Sequence, residues 1–312
     1  MTRILVIKLG ALGDFVQGFS PFAAIRAHHP GAQITLLTTP PFADLARASP
    51  WFDAVWADGR PSWLDVPAVA RLARRLRGAG FGRVYDLQTS PRSSRYRLFV
   101  GRGAEWSGVV AGASHPHANP QRDAMHTVER QRDQLMMAGI RDFPAPALDW
   151  LDGDLSGFDL PRRFALLLPG ASPHRPGKRW PLTHFAGFAA ALPFPALVCG
   201  GPAEAVLGAE LEVSGLINLV GRTSLPQLAA IARRAEFTLG NDSGPTHLAA
   251  VAGCPTWALF GAESEPSRCA PRGPAAHWLR HVPLAELAPA AVLHSVMGGS
   301  AGSGGGGGSS HS

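Results

Sequence analysis

A chain of 312 residues with 46% hydrophobic and 17% charged side chains is long enough for two domains of ordinary size and rich enough in apolar residues for a substantial core. It has no run of 18 apolar residues, which excludes a conventional transmembrane helix, and its three cysteines, Cys199, Cys254 and Cys269, are odd in number and lack zinc spacing, which argues against a disulfide framework. The formal net charge of +6 fits anionic partners: nucleotides, phosphorylated glycans, lipid surfaces or nucleic acid.

The chain opens on Ile4-Leu5-Val6-Ile7, continuously apolar as a buried parallel strand tends to be. The start reads as a strand rather than a signal peptide, so a cytoplasmic protein is expected. Lys8 follows, then the glycine turn Leu9–Asp14 and a helix expected from about Phe15 to Ala27. The turn lacks the G-x-G-x-x-G dinucleotide fingerprint. Asp14 stands where a helix N-cap is expected, or as a carboxylate aimed into a cleft at the strand's carboxyl end. Strand and helix then alternate: strands at 33–38, 54–57 and 83–87, helices at 41–48 and 66–77. Arg71, Arg74 and Arg75 share one helical face, a solvated surface or a lipid-phosphate contact. After Asp86-Leu87-Gln88, the segment Thr89–Arg95 reads as a capped helix start, rich in hydroxyls and arginines, suited to a sugar or phosphate acceptor. His115-Pro116-His117 reads as a loop rather than a metal pair. A helix is expected over 123–139, with His126, Glu129 and Arg130 on one face.

Residues 141–161, rich in Pro, Asp and Gly, read as a linker, which gives an N-terminal domain 1–150, a C-terminal domain 151–297 and a disordered Gly/Ser tail 298–312. The second half repeats the pattern. A strand at 164–168 leads into the long loop 169–181, which holds Ser172 and Lys178, the second of only two lysines in the chain. Further βα units place Gly200-Gly201-Pro202 with Glu204, then Gly221-Arg222-Thr223-Ser224, with Ser224 expected to cap the helix 225–234. In Phe237–Phe260 a short apolar strand meets the polar turn Asn241–His247, a small-residue helix, and a second strand. Ser243 or Asp242 is expected to cap that helix, Pro245 suits its first turn, and Gly244 permits close approach of a ligand. Free N–H groups and a helix dipole of roughly half a positive charge make this an expected phosphate site, with His247 in reach. A last helix is expected over 283–297.

At these positions the chain resembles glycosyltransferase family 9, the bacterial ADP-heptose:lipopolysaccharide heptosyltransferases, over nearly its whole length to about Met297. The resemblance rests on Lys8 with Gly13-Asp14, Asp86-Leu87-Gln88 with Arg92-Ser93, Pro169–Ser172 with Lys178-Arg179-Trp180-Pro181, Gly200-Gly201-Pro202 with Glu204, Gly221–Leu225, and Asp242–His247. It implies an α/β fold of GT-B type, two Rossmann-like doubly wound domains facing a central cleft. The first domain would bind a lipopolysaccharide core or other glycan acceptor, the second a nucleotide sugar, ADP-heptose. The family's catalytic base would correspond to Asp14 and its phosphate-binding lysine to Lys178. Asp242, Ser243, Gly244 and His247 would hold phosphate and sugar with Ser172; Glu204 would meet the ribose and Thr223 the adenine. Gly13, Gln17, Arg92 and Ser93 are the acceptor-side candidates. Three departures stand out: many members carry His where this chain has Gln17, many read Gly-Pro-Thr-Asp-Pro where it has Gly261-Ala262-Glu263-Ser264-Glu265-Pro266, and the loop before Lys178 has its own Pro and His content.

The expected reaction is an inverting, metal-independent transfer needing no cofactor, by an enzyme peripheral to the cytoplasmic face of the inner membrane. Alternatives are a GT-B enzyme using another nucleotide sugar, an epimerase included, and a non-catalytic nucleotide-sugar-binding protein of the same fold. Nucleic-acid binding is disfavoured, since no aromatic residues interleave with the arginine clusters and no helix-turn-helix or RNA-binding motif appears.

Overall fold

The computed structural model describes residues 1–101 and 103–298; the expected tail falls, from residue 299 onward, outside the described residues. The first half carries strands β1 (Arg3–Ile7), β2 (Gln33–Leu37), β3 (Ala54–Trp56), β4 (Arg83–Asp86), β5 (Glu105–Gly108) and β6 (His115–Pro116). Its helices are α1 (Leu12–Val16), α2 (Phe19–His28), α3 (Pro40–Ala48), α4 (Val66–Gly78), α5 (Pro91–Arg95), α6 (Arg97–Val100) and α7 (Thr127–Met137). The second half carries β7 (Ala165–Leu168), β8 (Ala196–Val198), β9 (Ile217–Asn218), β10 (Phe237–Asn241), β11 (Thr256–Phe260) and β12 (Ala276–Arg280). Around them lie α8 (Leu182–Ala190), α9 (Ala205–Val213), α10 (Leu225–Arg234), α11 (Gly244–Val251), α12 (Pro266–Cys269) and α13 (Pro289–Gly298).

Both sheets are six-stranded and wholly parallel, in the orders β3-β2-β1-β4-β5-β6 and β12-β11-β10-β7-β8-β9. Each therefore reverses direction once, between β1 and β4 and between β7 and β10. At such a switch point the loops leaving two adjacent strands part in opposite directions and leave a crevice at their carboxyl ends. Ile4–Ile7 and Ala165–Leu168 are buried on both faces, which is why these strands read as unbroken apolar runs. One apolar cluster joins the halves: Ile4, Val6, Phe15 and Phe19 pack in the same core as Leu166, Leu168, Leu248 and Ala249. Leu148, Trp150 and Phe158, from the stretch between α7 and β7 that holds no helix or strand, pack against it.

Three local expectations change. The helix after β1 is two helices, because the chain folds tightly at Gly18, where a Cβ would meet the Phe22 ring at 2.7 Å and the Phe15 carbonyl at 2.9 Å. His115-Pro116 is a short edge strand pairing with Ser107-Gly108, and β5 and β12 add strands that their mixed, short sequences concealed. The last helix begins at Pro289, after a 3₁₀ turn over Leu284–Glu286.

Candidate active site

The halves touch through two helix starts. A Cβ at Gly13 in α1 would lie 3.0 Å from the His247 ring, and one at Gly244 in α11 would lie 2.5 Å from Leu12 Cβ. Glycine at both positions lets α1 and α11 close to contact, and that contact carries Asp14 across to the second half's loops. Asp14 sits inside the first turn of α1, whose N-cap is Ala11, so it is not the cap that its position suggested. It is exposed and makes no side-chain hydrogen bond or ion pair among the described residues.

Beneath it lies Lys8, 4% exposed, whose Nζ donates to the Leu87 carbonyl at 3.1 Å and so bridges the ends of β1 and β4. Burial lowers the Lys8 pKa; of the charges acting on it, Asp14 opposes the shift most, Arg130 adds to it and Asp86 opposes it. Asp86 is itself fully buried, and burial pushes its carboxyl up to about 6 against the pull of the Thr89 and Gln88 amides, the Ser93 hydroxyl and Lys8. Asp86 Oδ2 has no hydrogen-bond partner.

The second switch point is tied more tightly. Asn241, buried at the end of β10, donates to the Pro169 carbonyl at 2.6 Å and accepts from the Trp180 amide at 3.0 Å, which pins the loop carrying Ser172 and Lys178. Lys178 Nζ donates to Asp242 Oδ2 at 2.5 Å, and His247 Nε2 lies 3.5 Å from Asp242 Oδ1. Burial pushes the Asp242 carboxyl up, but hydrogen bonds from His247 and Lys178 and their charges outweigh it and bring the carboxyl down to about 2. Gln17 Nε2 donates to His247 Nδ1 at 3.2 Å and to the Cys269 carbonyl at 3.0 Å. With Nδ1 accepting, the ring proton of neutral His247 belongs on Nε2, toward Asp242. A polar chain thus runs Gln17–His247–Asp242–Lys178 across the joint. Ser243 is the N-cap of α11 but makes no side-chain capping bond, contrary to expectation, and Pro245 occupies the first turn. The amide end of α11 is left for a ligand.

Glu204 closes the far side. Its Oε2 accepts from the Gly201 amide at 2.8 Å, and a Cβ at Gly170 or Gly200 would run into its carboxylate. The glycines flanking this loop are therefore the space the carboxylate occupies. Glu263, in the loop that departs from the family pattern, accepts from the Gly177 amide at 2.9 Å and holds the turn that presents Lys178.

These groups line one cavity of about 1080 Å³. Gly13, Asp14, Gln17, Ser172, Lys178, Glu204, Asp242, Ser243, Gly244 and His247 all reach it. Thr223, Arg92 and Ser93 are not among its lining residues. Ser93 is buried, and its hydroxyl and amide complete a reciprocal cap with Ser90; Arg92 donates to the Pro61 carbonyl at 2.7 Å and covers the Trp63 ring. Gln17, expected to face the acceptor, is buried with its amide engaged as described. Sequence reasoning missed Arg130, Arg268 and Cys269 in the wall. Arg130 is half-buried, acts on Lys8 alongside Asp14, and its side chain makes no ion pair or hydrogen bond among the described residues. Its position on the His126 helix face was the one available signal.

Two doubly wound sheets whose switch points open on a shared cleft, with a free carboxylate on one side and an ammonium and a bare helix start on the other, define a glycosyltransferase of GT-B architecture. The sequence model described as glycosyltransferase family 9 (heptosyltransferase) matches residues 69–288, and the chain belongs to that family. It is similar to lipopolysaccharide heptosyltransferase 2 of Salmonella typhimurium, 26% identical over 84% of this chain and 83% of the relative. It is 22% identical to the lipopolysaccharide core heptosyltransferase OpsX of Haemophilus influenzae over 86% of this chain and 81% of that one. The solved structure of E. coli ADP-heptose lps heptosyltransferase II superposes with a TM-score of 0.75 at 23% identity, over 96% of this chain and 100% of that chain.

Proposed function

We propose that this chain transfers a heptose from ADP-heptose to a lipopolysaccharide core acceptor, with inversion at the sugar carbon and Asp14 as general base. The observation that carries the reading is the single cavity lined by Asp14 from one switch point and by Lys178, Glu204 and the α11 start from the other. Relatives named as lipopolysaccharide heptosyltransferases, one of them by its ADP-heptose donor, support the choice of substrates.

The acceptor hydroxyl loses its proton as it attacks, and Asp14, with both oxygens unengaged, takes it. Attack from the face opposite the leaving diphosphate inverts the anomeric carbon. The C–O bond to the diphosphate breaks as the new glycosidic bond forms, and the charge gathering on the diphosphate meets Lys178 and the α11 amides. Charge met by protein groups makes the reaction metal-independent in this reading. Glu204 is assigned to the ribose hydroxyls and Thr223 to the adenine; Arg130 offers a cation to an anionic acceptor beside Asp14. Residues 1–150 form the acceptor domain and 151–297 the donor domain, holding the reactants in line. No helix among the described residues is long and apolar enough to cross a membrane, and a peripheral enzyme at the cytoplasmic face of the inner membrane fits that.

The test is single-turnover transfer from ADP-heptose to a truncated lipopolysaccharide core, read by mass spectrometry, beside UDP- and GDP-sugars. A product heavier by one heptose from the ADP donor alone is the expected result. Turnover of another donor in its place would overturn the substrate assignment, and donor binding without transfer to any acceptor would overturn the enzymatic one.

A further inference from the structure

The cleft does not account for a second surface on the first half. Leu64 is 93% exposed, Val66 68% and Leu98 74%, side chains that folding normally hides. Single exposed apolar residues are unremarkable; a cluster of them is a binding feature. Leu64 and Val66 flank Asp65, and Leu98 stands on α6, which packs against α4. The 61–64 loop lies on α5, since Arg92 donates to the Pro61 carbonyl and the Arg92 and Arg95 guanidinium groups stand 4.6 and 5.6 Å from the Trp63 ring centre. Val66 opens α4, and Leu98 on α6 lies three residues beyond Arg95, both exposed.

The same segments are cationic. The side chains of Arg60, Arg71, Arg74 and Arg95 are exposed and make no ion pair or hydrogen bond among the described residues. The nearby acids are already engaged: Asp58 pairs with Arg75 at 3.1 Å, and Asp65 caps α4 by accepting from the Ala68 amide at 3.0 Å. Apolar side chains that enter an acyl boundary, ringed by arginines whose stems follow them and whose heads stay at phosphate level, suit a charged lipid–water interface.

We propose that the surface formed by Leu64, Val66 and Leu98 with Arg60, Arg71, Arg74 and Arg95 docks the enzyme on an anionic phospholipid bilayer. The Trp63–Leu64 loop follows β3 and α5 follows β4, both at the carboxyl edge of the sheet that carries Asp14. Docking there brings the mouth of the cleft to the bilayer. The inference rests on the proposed lipid-bearing acceptor for its purpose, while the docking itself needs no acceptor.

The experiment is co-sedimentation of the full chain with vesicles of phosphatidylcholine or of an equal mixture of phosphatidylcholine and phosphatidylglycerol. Binding is expected to the mixture and not to phosphatidylcholine, and to weaken as salt screens the arginines. The double variants Leu64→Ser/Leu98→Ser and Arg71→Ala/Arg74→Ala should each lower partition by about tenfold or more, with transfer to a delipidated acceptor unchanged. Equal binding to both vesicles, no binding to the mixture, or full binding by both variants would overturn the proposal. So would displacement by inorganic phosphate, which would mark a discrete phosphate pocket. Vesicle binding with no transfer from ADP-heptose would instead defeat the functional reading and leave the docking surface standing.

Discussion

The two switch points are built on one plan and charged in opposite senses. Each sets one of the chain's two lysines near a carboxylate that lines the cleft; β4 also ends on Asp86, buried and off the cleft. At β1 and β4 the lysine is inside and the carboxylate outside: Lys8 is buried on a carbonyl, and Asp14 stands free above it. At β7 and β10 the carboxylate is the inner member, and the lysine is clamped directly to it. The difference follows from what each is proposed to do. A base must keep an oxygen uncommitted, so its cation acts from a distance and through no shared hydrogen bond. An electrostatic anchor must not move as charge builds on the substrate, so it is locked before the substrate arrives.

Removing the free carboxylate should have the largest effect. Asp14→Asn keeps the size and loses the base, so transfer should fall by about 10²–10⁴-fold while ADP-heptose binding, followed by titration calorimetry, stays within a few-fold of the parent. Turnover within tenfold of the parent would mean the two switch points do not divide the work in this way. The same Lys→Met change at the two lysines then separates inner from outer. Lys178→Met should cost about 10²–10³-fold in transfer, weaken ADP more than adenosine, and lower the melting temperature, because it leaves Asp242 buried and short of a partner. Lys8→Met should cost about tenfold in transfer but hold or raise the melting temperature, since a buried ammonium with one hydrogen bond recovers little of its desolvation. Lys8→Arg, which keeps the cation, should recover most of the lost transfer. An equal loss of melting temperature from both Lys→Met changes would erase the contrast.

Much of this plan is legible in the residue order, and the illegible part has a common cause. The unbroken apolar runs at Ile4–Ile7 and Ala165–Leu168 mark central parallel strands because both faces are covered. Gly244-Pro245 marks a helix start open to a ligand. Lys8 and Lys178 stand out because every other fixed cation is arginine. The edge strands β6 and β12 were hidden because an edge strand is half wet and its pattern weak, and β5 because Glu105–Gly108 offers Trp106 as its one bulky apolar side chain. Ser93 looked like an acceptor contact because a capping hydroxyl and a binding hydroxyl have the same local sequence; only the Ser90 and Asp86 neighbours distinguish them. The surroundings of Gln17 and Arg130 could not be read, since each owes its position to α1 or α7 meeting the other half, over a hundred residues away along the chain.

That joint yields the smallest expected effect, and one that leaves both switch points untouched. His126 caps α7 by accepting from the Val128 amide through Nδ1 at 3.2 Å, and its Nε2 lies 2.9 Å from the Ala270 carbonyl of the second half. Both contacts are met at once by the neutral ring protonated on Nε2. Burial pulls the pKa from 6.5 down to about 4; Ala270 and Glu129 raise it, while Arg272 and His247 add to the fall. For a histidine so depressed, the stabilisation is complete above the unfolded value and is lost as pH falls through the window from 6.5 to about 4. The loss should amount to about 1–3 kcal/mol. His126→Asn keeps a capping acceptor and removes the titration, so its urea-unfolding free energy should fall less than the parent's between neutral pH and about pH 5. Asp242 does not confuse the measurement. Its depressed pKa gives stability that is present above 3.8 and lost only as pH falls toward about 2, below the histidine's window. A parent and variant with parallel pH slopes would show that the halves are held together without regard to the charge at His126.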